Sequence, residues 1–130
     1  MILLDTQVIL FDVFESKRLS HRAKQALAEG TESGSLACSD ISLWEIAMLG
    51  ARGRIDARGK TAEFIDRTLQ SRSIRVLPIT SEIAVMAQSD QFEHGDPADR
   101  IVAATALVHG ARLVSADARL RKLRGLKVLW

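Results

Sequence analysis

The sequence predicts one α/β domain over residues 1–130, with a mainly parallel central sheet of about five strands and helices on both faces. Two observations favour this class. Short apolar runs alternate along the chain with longer segments whose apolar residues recur at helical spacing. The 130 residues are 47% hydrophobic and 26% charged, which is enough apolar material for the core of one domain. No repeat, linker or low-complexity segment divides the chain.

Five apolar segments are predicted to form the strands. The first, Ile2-Leu3-Leu4, is an uninterrupted apolar run that ends at Asp5, which is typical of a buried parallel strand. Pro78 interrupts the third segment, so we place that strand at an edge of the sheet, where a missing amide hydrogen is tolerated. The predicted strands are residues 2–4, 36–38, 75–79, 113–115 and 127–129.

Helices are predicted between these strands. The clearest begins at Pro97, carries apolar residues at helical spacing from Ile101 onward, and stops at Gly110. Gly30 and Gly34 are expected to bracket a turn after the second helix. The predicted helices run from Asp5 to about residue 14, from about 20 to 29, from 42 to the loop marked by Gly50, Gly53 and Gly59, from 62 to 72, from 81 to 89 and from 97 to 109, and a short basic helix precedes the last strand.

Composition excludes several classes of protein. The single cysteine, Cys38, rules out an internal disulfide framework and is expected to be a small buried strand residue rather than a catalytic thiol. No apolar run approaches the roughly 18 residues that a membrane-spanning helix needs. The first residues include Asp5 and lack the basic start of a secretory signal. We therefore expect a cytoplasmic protein.

Basic side chains crowd two segments, although the formal net charge is only +2. Such clusters can follow a nucleic-acid backbone, and a solvated helix face is the alternative. Only 5% of the residues are aromatic and none interleaves with these charges, so the sequence does not indicate stacking of bases. The two clusters are Arg52, Arg54, Arg58 and Lys60, and Arg119, Arg121, Lys122, Arg124 and Lys127.

Four acids are placed near the carboxyl ends of the predicted strands. Asp5 ends the first strand and Asp117 follows the fourth, while Glu45 and Asp99 lie in the first turns of their helices. Because ligands bind outside the carboxyl ends of strands in such sheets, we expect these acids to share one site. A phosphoacceptor receiver domain would need paired acids after the first strand, and Asp5 stands alone there.

Helix capping is the alternative explanation for these acids, since helix starts also lie at that edge. Neutral caps would serve equally well, however, and two carboxylates about 4 Å apart repel by about 4 kcal/mol at an effective dielectric of 20. Four converging acids therefore favour a bound cation, and oxygen ligands favour Mg²⁺ or Mn²⁺ over zinc. The capping matches are Ser42-x-x-Glu45 as a capping box, Asp96-Pro97-x-Asp99 as a cap followed by proline, and Asp5 and Asp117 as simple caps.

Four segments stand out in order along the chain: LLDTQVIL, SDISLWEIAML, HGDPADRIVAATA and LVSAD. Together they resemble the successive motifs of the PIN-domain superfamily. More narrowly, they resemble the VapC family of toxin ribonucleases from bacterial type II toxin–antitoxin systems. The match covers nearly the whole chain, and DPxDR…AAxA is its most specific part. The chain departs from the family pattern at Gln7, where relatives often have histidine, and at Ala98, where they often have an aromatic residue. Both departures affect the shape of the pocket and leave every acid in place.

The resemblance implies a PIN-like α/β/α sandwich and a ribonuclease that hydrolyses RNA phosphodiester bonds with Mg²⁺ or Mn²⁺. The ion would activate water and neutralise charge on the phosphoryl oxygens. Glu45 would bind the ion or orient the attacking water. The implied catalytic and metal-binding residues are Asp5, Glu45, Asp99 and Asp117, with Thr6 and Ser115 as supporting hydroxyls.

The resemblance also implies partners, which are a small VapB-like antitoxin that occludes the site and a second copy of the chain in a homodimer. Beside the acids, Asp96 is expected to cap its helix rather than bind metal, and Trp44 to anchor the core rather than stack on bases. A catalytically silent PIN-like module that binds RNA or protein is the alternative function. The candidate RNA contacts are His94, Arg119, Arg121 and Lys122.

Overall fold

A computed structural model describes residues 1–92 and 95–130. It confirms the α/β prediction, with a five-stranded sheet in the order β3-β2-β1-β4-β5. Each neighbouring pair of strands in this sheet is parallel. The strands are β1 (Ile2–Leu4), β2 (Leu36–Ser39), β3 (Arg75–Leu77), β4 (Arg112–Val114) and β5 (Val128–Leu129).

Helices connect the strands on both sides of the sheet. Within the described residues they are α1 (Thr6–Phe14), α2 (His21–Ser33), α3 (Ile41–Ala51), α4 (Thr61–Ser71), α5 (Ser81–Met86) and α6 (Pro97–His109). Single 3₁₀ turns follow α1, at Ser16–Arg18, and precede β5, at Leu120–Lys122. None of the helices in the described part of the chain has the length and apolar character that crossing a membrane would require.

The chain winds away from β1 in two directions. It runs from β1 through β2 to β3, and α1 to α4 cover the face on which Ile2 and Leu4 are buried. It then returns to β4 on the other side of β1, with α5 and α6 on the opposite face, where Leu3 and Leu113 are buried. The direction of winding therefore reverses between β1 and β4, which is where open α/β sheets form a ligand-binding crevice.

Helix α6 has the start and stop that its sequence predicts. Oδ1 of Asp96 accepts a hydrogen bond of 2.9 Å from the backbone N–H of Ala98, and Pro97 fills the first helical position. Gly110 ends the helix in the left-handed conformation, at φ 61°. Small side chains allow close approach to the sheet, and three alanines are fully buried: Ala103, Ala104 and Ala106.

The predicted turn between Gly30 and Gly34 is wrong. Helix α2 continues through Gly30 to Ser33, and Gly34 ends it at φ 66°. Gly30 is required for packing, because a Cβ at this position would lie 2.2 Å from Cδ2 of Leu36. A glycine inside a helix that packs closely on a strand therefore looks, in the sequence, like the end of that helix.

Other local predictions hold, with shorter elements than expected. Strand β3 lies at an edge of the sheet and ends at Leu77, just before Pro78. Cys38 is fully buried in β2, and burial raises the pKa of its thiol to about 12, which fits a structural residue. The predicted basic helix before the last strand forms only the 3₁₀ turn Leu120–Lys122.

Candidate metal centre

A cleft of about 510 Å³ opens at the carboxyl ends of β1 and β4, where the winding of the sheet reverses. The structure brings the four predicted acids into this cleft together with the helix cap of α6. The acids that line the cleft are Asp5, Glu45, Asp96, Asp99 and Asp117.

Asp5 follows β1 directly and is only 7% exposed. It occupies the N-cap position of α1, yet its side chain makes no capping hydrogen bond to that helix. Instead, its Oδ2 accepts a hydrogen bond of 2.6 Å from Oγ of Ser115, which follows the neighbouring strand β4. The capping explanation therefore fails for Asp5, and a hydroxyl group from the adjacent strand orients its carboxylate.

Glu45 lies on α3 and is held by the start of α1. Oγ1 of Thr6 donates a short hydrogen bond to Oε1 of Glu45, and lies 2.8 Å from Oγ of Ser42. Because the one hydroxyl proton of Thr6 goes to Glu45, Ser42 is the donor in the second bond. The capping-box alternative fails, since α3 begins at Ile41 and the buried Ser42 hydrogen-bonds to Thr6 instead.

The pKa values of three acids in the cleft are raised. Burial raises the pKa of Asp5 and of Glu45, although the hydrogen bonds from Ser115 and Thr6 oppose that shift. The pKa of Asp99 is raised to about 7, first by burial and then by the negative charges around it. Those charges are the carboxylates of Asp96, Asp5, Glu45 and Asp117.

Asp117 interacts closely with Arg119. Nε and Nη2 of Arg119 donate to Oδ1 and Oδ2 of Asp117, at 3.1 and 3.0 Å, and the backbone N–H of Arg119 donates to Oδ1 at 2.9 Å. These bonds stabilise the turn that leads into Leu120–Lys122, but the N-cap of that element is Arg119, so Asp117 does not cap it as the capping alternative expects. Nη2 of Arg119 also lies 3.8 Å from Oδ2 of Asp99. A cation from the predicted RNA-binding cluster therefore lies between two acids of the cleft.

The chemistry of these residues fits a divalent cation. Carboxylate oxygens are the ligands that Mg²⁺ and Mn²⁺ prefer, and a cation would relieve the repulsion that raises the pKa of Asp99. In residues 1–92 and 95–130, no three His, Cys, Asp or Glu side chains already lie close enough to share an ion. A cation at Asp99 would compete with the guanidinium of Arg119, whose Nη2 lies 3.8 Å from Oδ2 of Asp99.

The other predicted contacts have different outcomes. His94 lies outside the described residues. Arg121 and Lys122 are exposed in the 3₁₀ turn that follows Arg119. Trp44 is 60% exposed, so its predicted place in the core is wrong. Ile46 faces the core, and Trp44, two positions earlier on α3, lies on the opposite, solvent-exposed side of that helix.

Sequence reasoning missed Phe11 and Arg18, which also line the cleft. The 3₁₀ turn after α1 brings Arg18 back over that helix, so that its guanidinium carbon lies 4.2 Å from the centre of the Phe11 ring. Phe11 follows Gln7, another residue of the cleft, by four positions, and a plot of the exposed face of α1 would have suggested it. No local signal marks Arg18, because its position depends on the path of the turn.

Comparisons with known proteins agree with this architecture. The model of the PIN domain family matches residues 2–126, a range that includes all four predicted acids. Over 124 residues, the chain is 37% identical to Ribonuclease VapC22 of Mycobacterium tuberculosis (strain ATCC 25618 / H37Rv), covering 95% of this chain and 92% of that protein.

Solved structures share the fold over their full length. The structure of VapBC2 from Rickettsia felis, bound to a DNA fragment from its promoter, matches with a TM-score of 0.74 at 16% identity, covering 99% of this chain and 98% of that chain. A toxin–antitoxin complex from Klebsiella pneumoniae matches with a TM-score of 0.63 at 27% identity, covering 100% of this chain and 97% of that chain. The predicted α/β/α sandwich is thus the fold of these chains.

Proposed function

Because this chain belongs to the PIN-domain family, in its VapC branch, we propose that it is a Mg²⁺- or Mn²⁺-dependent endoribonuclease and the toxin of a bacterial toxin–antitoxin pair. The observation that carries the proposal is the group of acids at the switch between β1 and β4, where Asp5 is buried and Glu45, Asp99 and Asp117 are half-buried. Two of them are held by hydroxyl groups and make no helix cap, and the pKa of a third is raised to about 7. Acids kept in this state fit a cation-dependent reaction.

The acids have separate roles in the proposed reaction. Asp5, Asp99 and Asp117 would hold one or two ions, and Ser115 orients Asp5 by donating to its Oδ2. Glu45, oriented by Thr6, serves as a further ligand or orients the attacking water. When bound, the divalent ion activates water and neutralises the charge that develops on the phosphoryl oxygens.

Substrate binding needs positive charge, because the acids of the cleft repel the RNA backbone until a metal ion binds. We assign this role to Arg121 and Lys122, to His94, and to Arg119 once it has left Asp99. Arg121 and Lys122 are exposed, which supports a role in holding phosphates outside the cleft. We therefore expect RNA affinity to fall steeply as the salt concentration rises, because phosphate contacts release counterions.

The partners follow from the family. A small VapB-like antitoxin would occlude the acid cleft, and two toxin chains would form a homodimer within the complex. The R. felis structure contains VapBC2, and the K. pneumoniae structure is a toxin–antitoxin complex, which supports an antitoxin partner. We place the reaction in the cytoplasm, where a ribonuclease meets its RNA.

Cleavage of total RNA by the purified chain tests the proposed function. Fragments should appear with Mn²⁺ or Mg²⁺ and disappear with EDTA or in Asp5→Asn. Asp66→Asn is the matched control, because it removes an exposed acid of α4 that lies outside the cleft. If the wild type binds RNA but leaves it intact with either metal, the catalytically silent module is the correct function.

A further inference from the structure

A second cavity, of about 340 Å³, lies at the C-terminal end of α1. It is formed by the last residues of α1, by the loop before α4 and by one side of α4 itself. Its size falls within the range of small-ligand pockets. Its lining includes Phe14, Asp56, Arg58, Phe64 and Arg67.

One wall of this cavity is a pair of aromatic rings. The rings of Phe14 and Phe64 stack with their centres 5.6 Å apart and an angle of 27° between their planes. Phe64 is buried, at 8% exposure, whereas Phe14 is 38% exposed. The inner ring therefore supports the outer one, and Phe14 presents a fixed flat surface of the kind on which nucleic-acid bases stack.

The rim of the cavity carries two arginines. Arg58 and Arg67 are both exposed, and within the described residues neither forms an ion pair with an acid. Arg58 has a left-handed backbone, at φ 49°, which is unfavourable for a residue with a side chain. Oδ1 of Asp56 stabilises this turn by accepting the backbone N–H of Arg58 at 2.9 Å. The guanidinium of Arg58 is thus left for other partners.

One face of α1 connects this cavity with the acid cleft. Gln7, Phe11 and Phe14 follow one another at spacings of four and three, so they lie along the same side of the helix. Gln7 and Phe11 line the acid cleft, with Arg18 over the Phe11 ring, and Phe14 lines the second cavity. Seven residues of helix separate Gln7 from Phe14 by roughly 10 Å, a distance that a few nucleotides of single-stranded RNA can span.

We propose that the second cavity is a nucleotide-binding subsite for single-stranded RNA whose scissile phosphate lies in the acid cleft. A base stacks on the ring of Phe14, and Arg58 and Arg67 hold the adjoining phosphates. This inference rests on the proposed ribonuclease function and extends it to substrate selection. Because base-paired RNA has no free base for Phe14, the subsite favours single strands.

The subsite is tested by measuring the affinity of a labelled single-stranded RNA oligonucleotide in an Asp5→Asn background, which prevents cleavage. Phe14→Leu keeps an apolar side chain but removes the ring, and should weaken binding about 5- to 100-fold. Arg58→Gln and Arg67→Gln should each flatten the slope of log affinity against log salt by about 0.7. Arg22→Gln, an exposed arginine of α2 outside both cavities, is the control and should change neither quantity.

Cleavage kinetics separate this inference from the proposed function. With the acids intact, Phe14→Leu should raise KM for the long oligonucleotide and leave kcat unchanged. It should have no effect on a dinucleotide, which is too short to reach the cavity. If all three variants keep the wild-type RNA affinity and the wild-type Tm, the subsite is overturned and the proposed function still stands. Loss of a protein partner in these variants would not change that conclusion. Failure of the wild type to bind or cleave RNA would overturn the proposed function.

Discussion

Two kinds of acid lie at the same edge of this sheet, and they differ in what their carboxylates contact. Asp96 is exposed and accepts the backbone N–H of Ala98, so it caps α6. Asp5 and Glu45 also lie at or near helix starts, but their carboxylates accept hydrogen bonds from hydroxyl groups of other elements. Position in the sequence does not separate the two kinds of acid, whereas burial and hydrogen-bond partners do.

The difference separates the acid that stabilises the fold from the acids that do not. A capping carboxylate stabilises its own helix. The charged form of a buried or half-buried carboxylate whose pKa is raised, as in Asp5, Glu45 and Asp99, is unfavourable in the folded chain until a cation approaches it. The cleft therefore contains one acid that stabilises a helix, Asp96, and others that would be stabilised by a metal ion.

Asp5→Asn is expected to have the largest effect. Losing a residue that only supports a metal ligand typically costs about 10- to 100-fold in activity. Asp5 is a proposed ligand itself, so kcat/KM for RNA should fall further than that in Asp5→Asn. The fold should persist, because Asn can still accept the hydrogen bond of Ser115. Initial rates of oligonucleotide cleavage measure the loss, with circular dichroism as the check on folding. Cleavage at the wild-type rate would remove Asp5 from the group of metal ligands.

The pH dependence of stability tests the same group. The pKa of Asp99 is about 7 in the folded chain against an ordinary value of 3.8, so the folded state binds more protons than the unfolded state between these values. Stability without metal should therefore fall as pH rises from about 4 to 7. Asp5 and Glu45 contribute with the same sign, because their pKa values are also raised. Mn²⁺ affinity should rise over the same range, because metal ligands must lose their protons.

Melting curves in EDTA from pH 5 to 8, at constant ionic strength, measure this dependence. As pH rises, Tm should decrease less in Asp99→Asn than in the wild type. In Asp66→Asn, which changes an exposed residue of α4, Tm should decrease as much as in the wild type. Equal slopes in Asp99→Asn and the wild type would show that Asp99 is ionised in the folded chain like an ordinary surface acid.

A smaller effect is expected at the helix cap. Asp96→Ala should lower the free energy of unfolding by about 1 kcal/mol, because the amide of Ala98 loses its partner. Asp96→Asn should be nearly neutral, since Asn is itself a good cap. Both variants should keep most of the RNA cleavage. Chemical denaturation measures the difference, and loss of cleavage in Asp96→Asn would move Asp96 into the group of metal ligands.

The smallest effect is expected at Arg119. Its guanidinium lies between Asp99 and Asp117, so Arg119→Ala should remove a competitor and tighten Mn²⁺ binding by a small factor. Arg121→Ala, two positions farther along the same exposed turn, is the control. Isothermal titration with Mn²⁺ measures both affinities. Weaker Mn²⁺ binding in Arg119→Ala would show that Arg119 assists the metal site instead of competing for it.

The sequence was sufficient to predict the sheet, the edge position of β3 and the acids of the cleft. These features depend on local signals, such as the apolar run before Asp5 and the cap, proline and glycine that delimit α6. Sequence-based prediction failed where the reason for a residue is a contact with a distant part of the chain. Gly30 resembles a helix stop but makes room for Leu36, and Ser42 resembles a cap but donates to Thr6. Neither partner can be identified from neighbouring residues.

The change in Tm on adding millimolar Mn²⁺ measures directly whether the acids of the cleft bind a divalent ion. A ligand at about a hundredfold excess over Kd adds about 2.7 kcal/mol, or about 10 °C for a domain of this size. Wild type and Asp96→Asn should show this rise, and Asp5→Asn should lose most of it. If Mn²⁺ does not raise the Tm of the wild type at matched ionic strength, the acids of the cleft do not form a metal site.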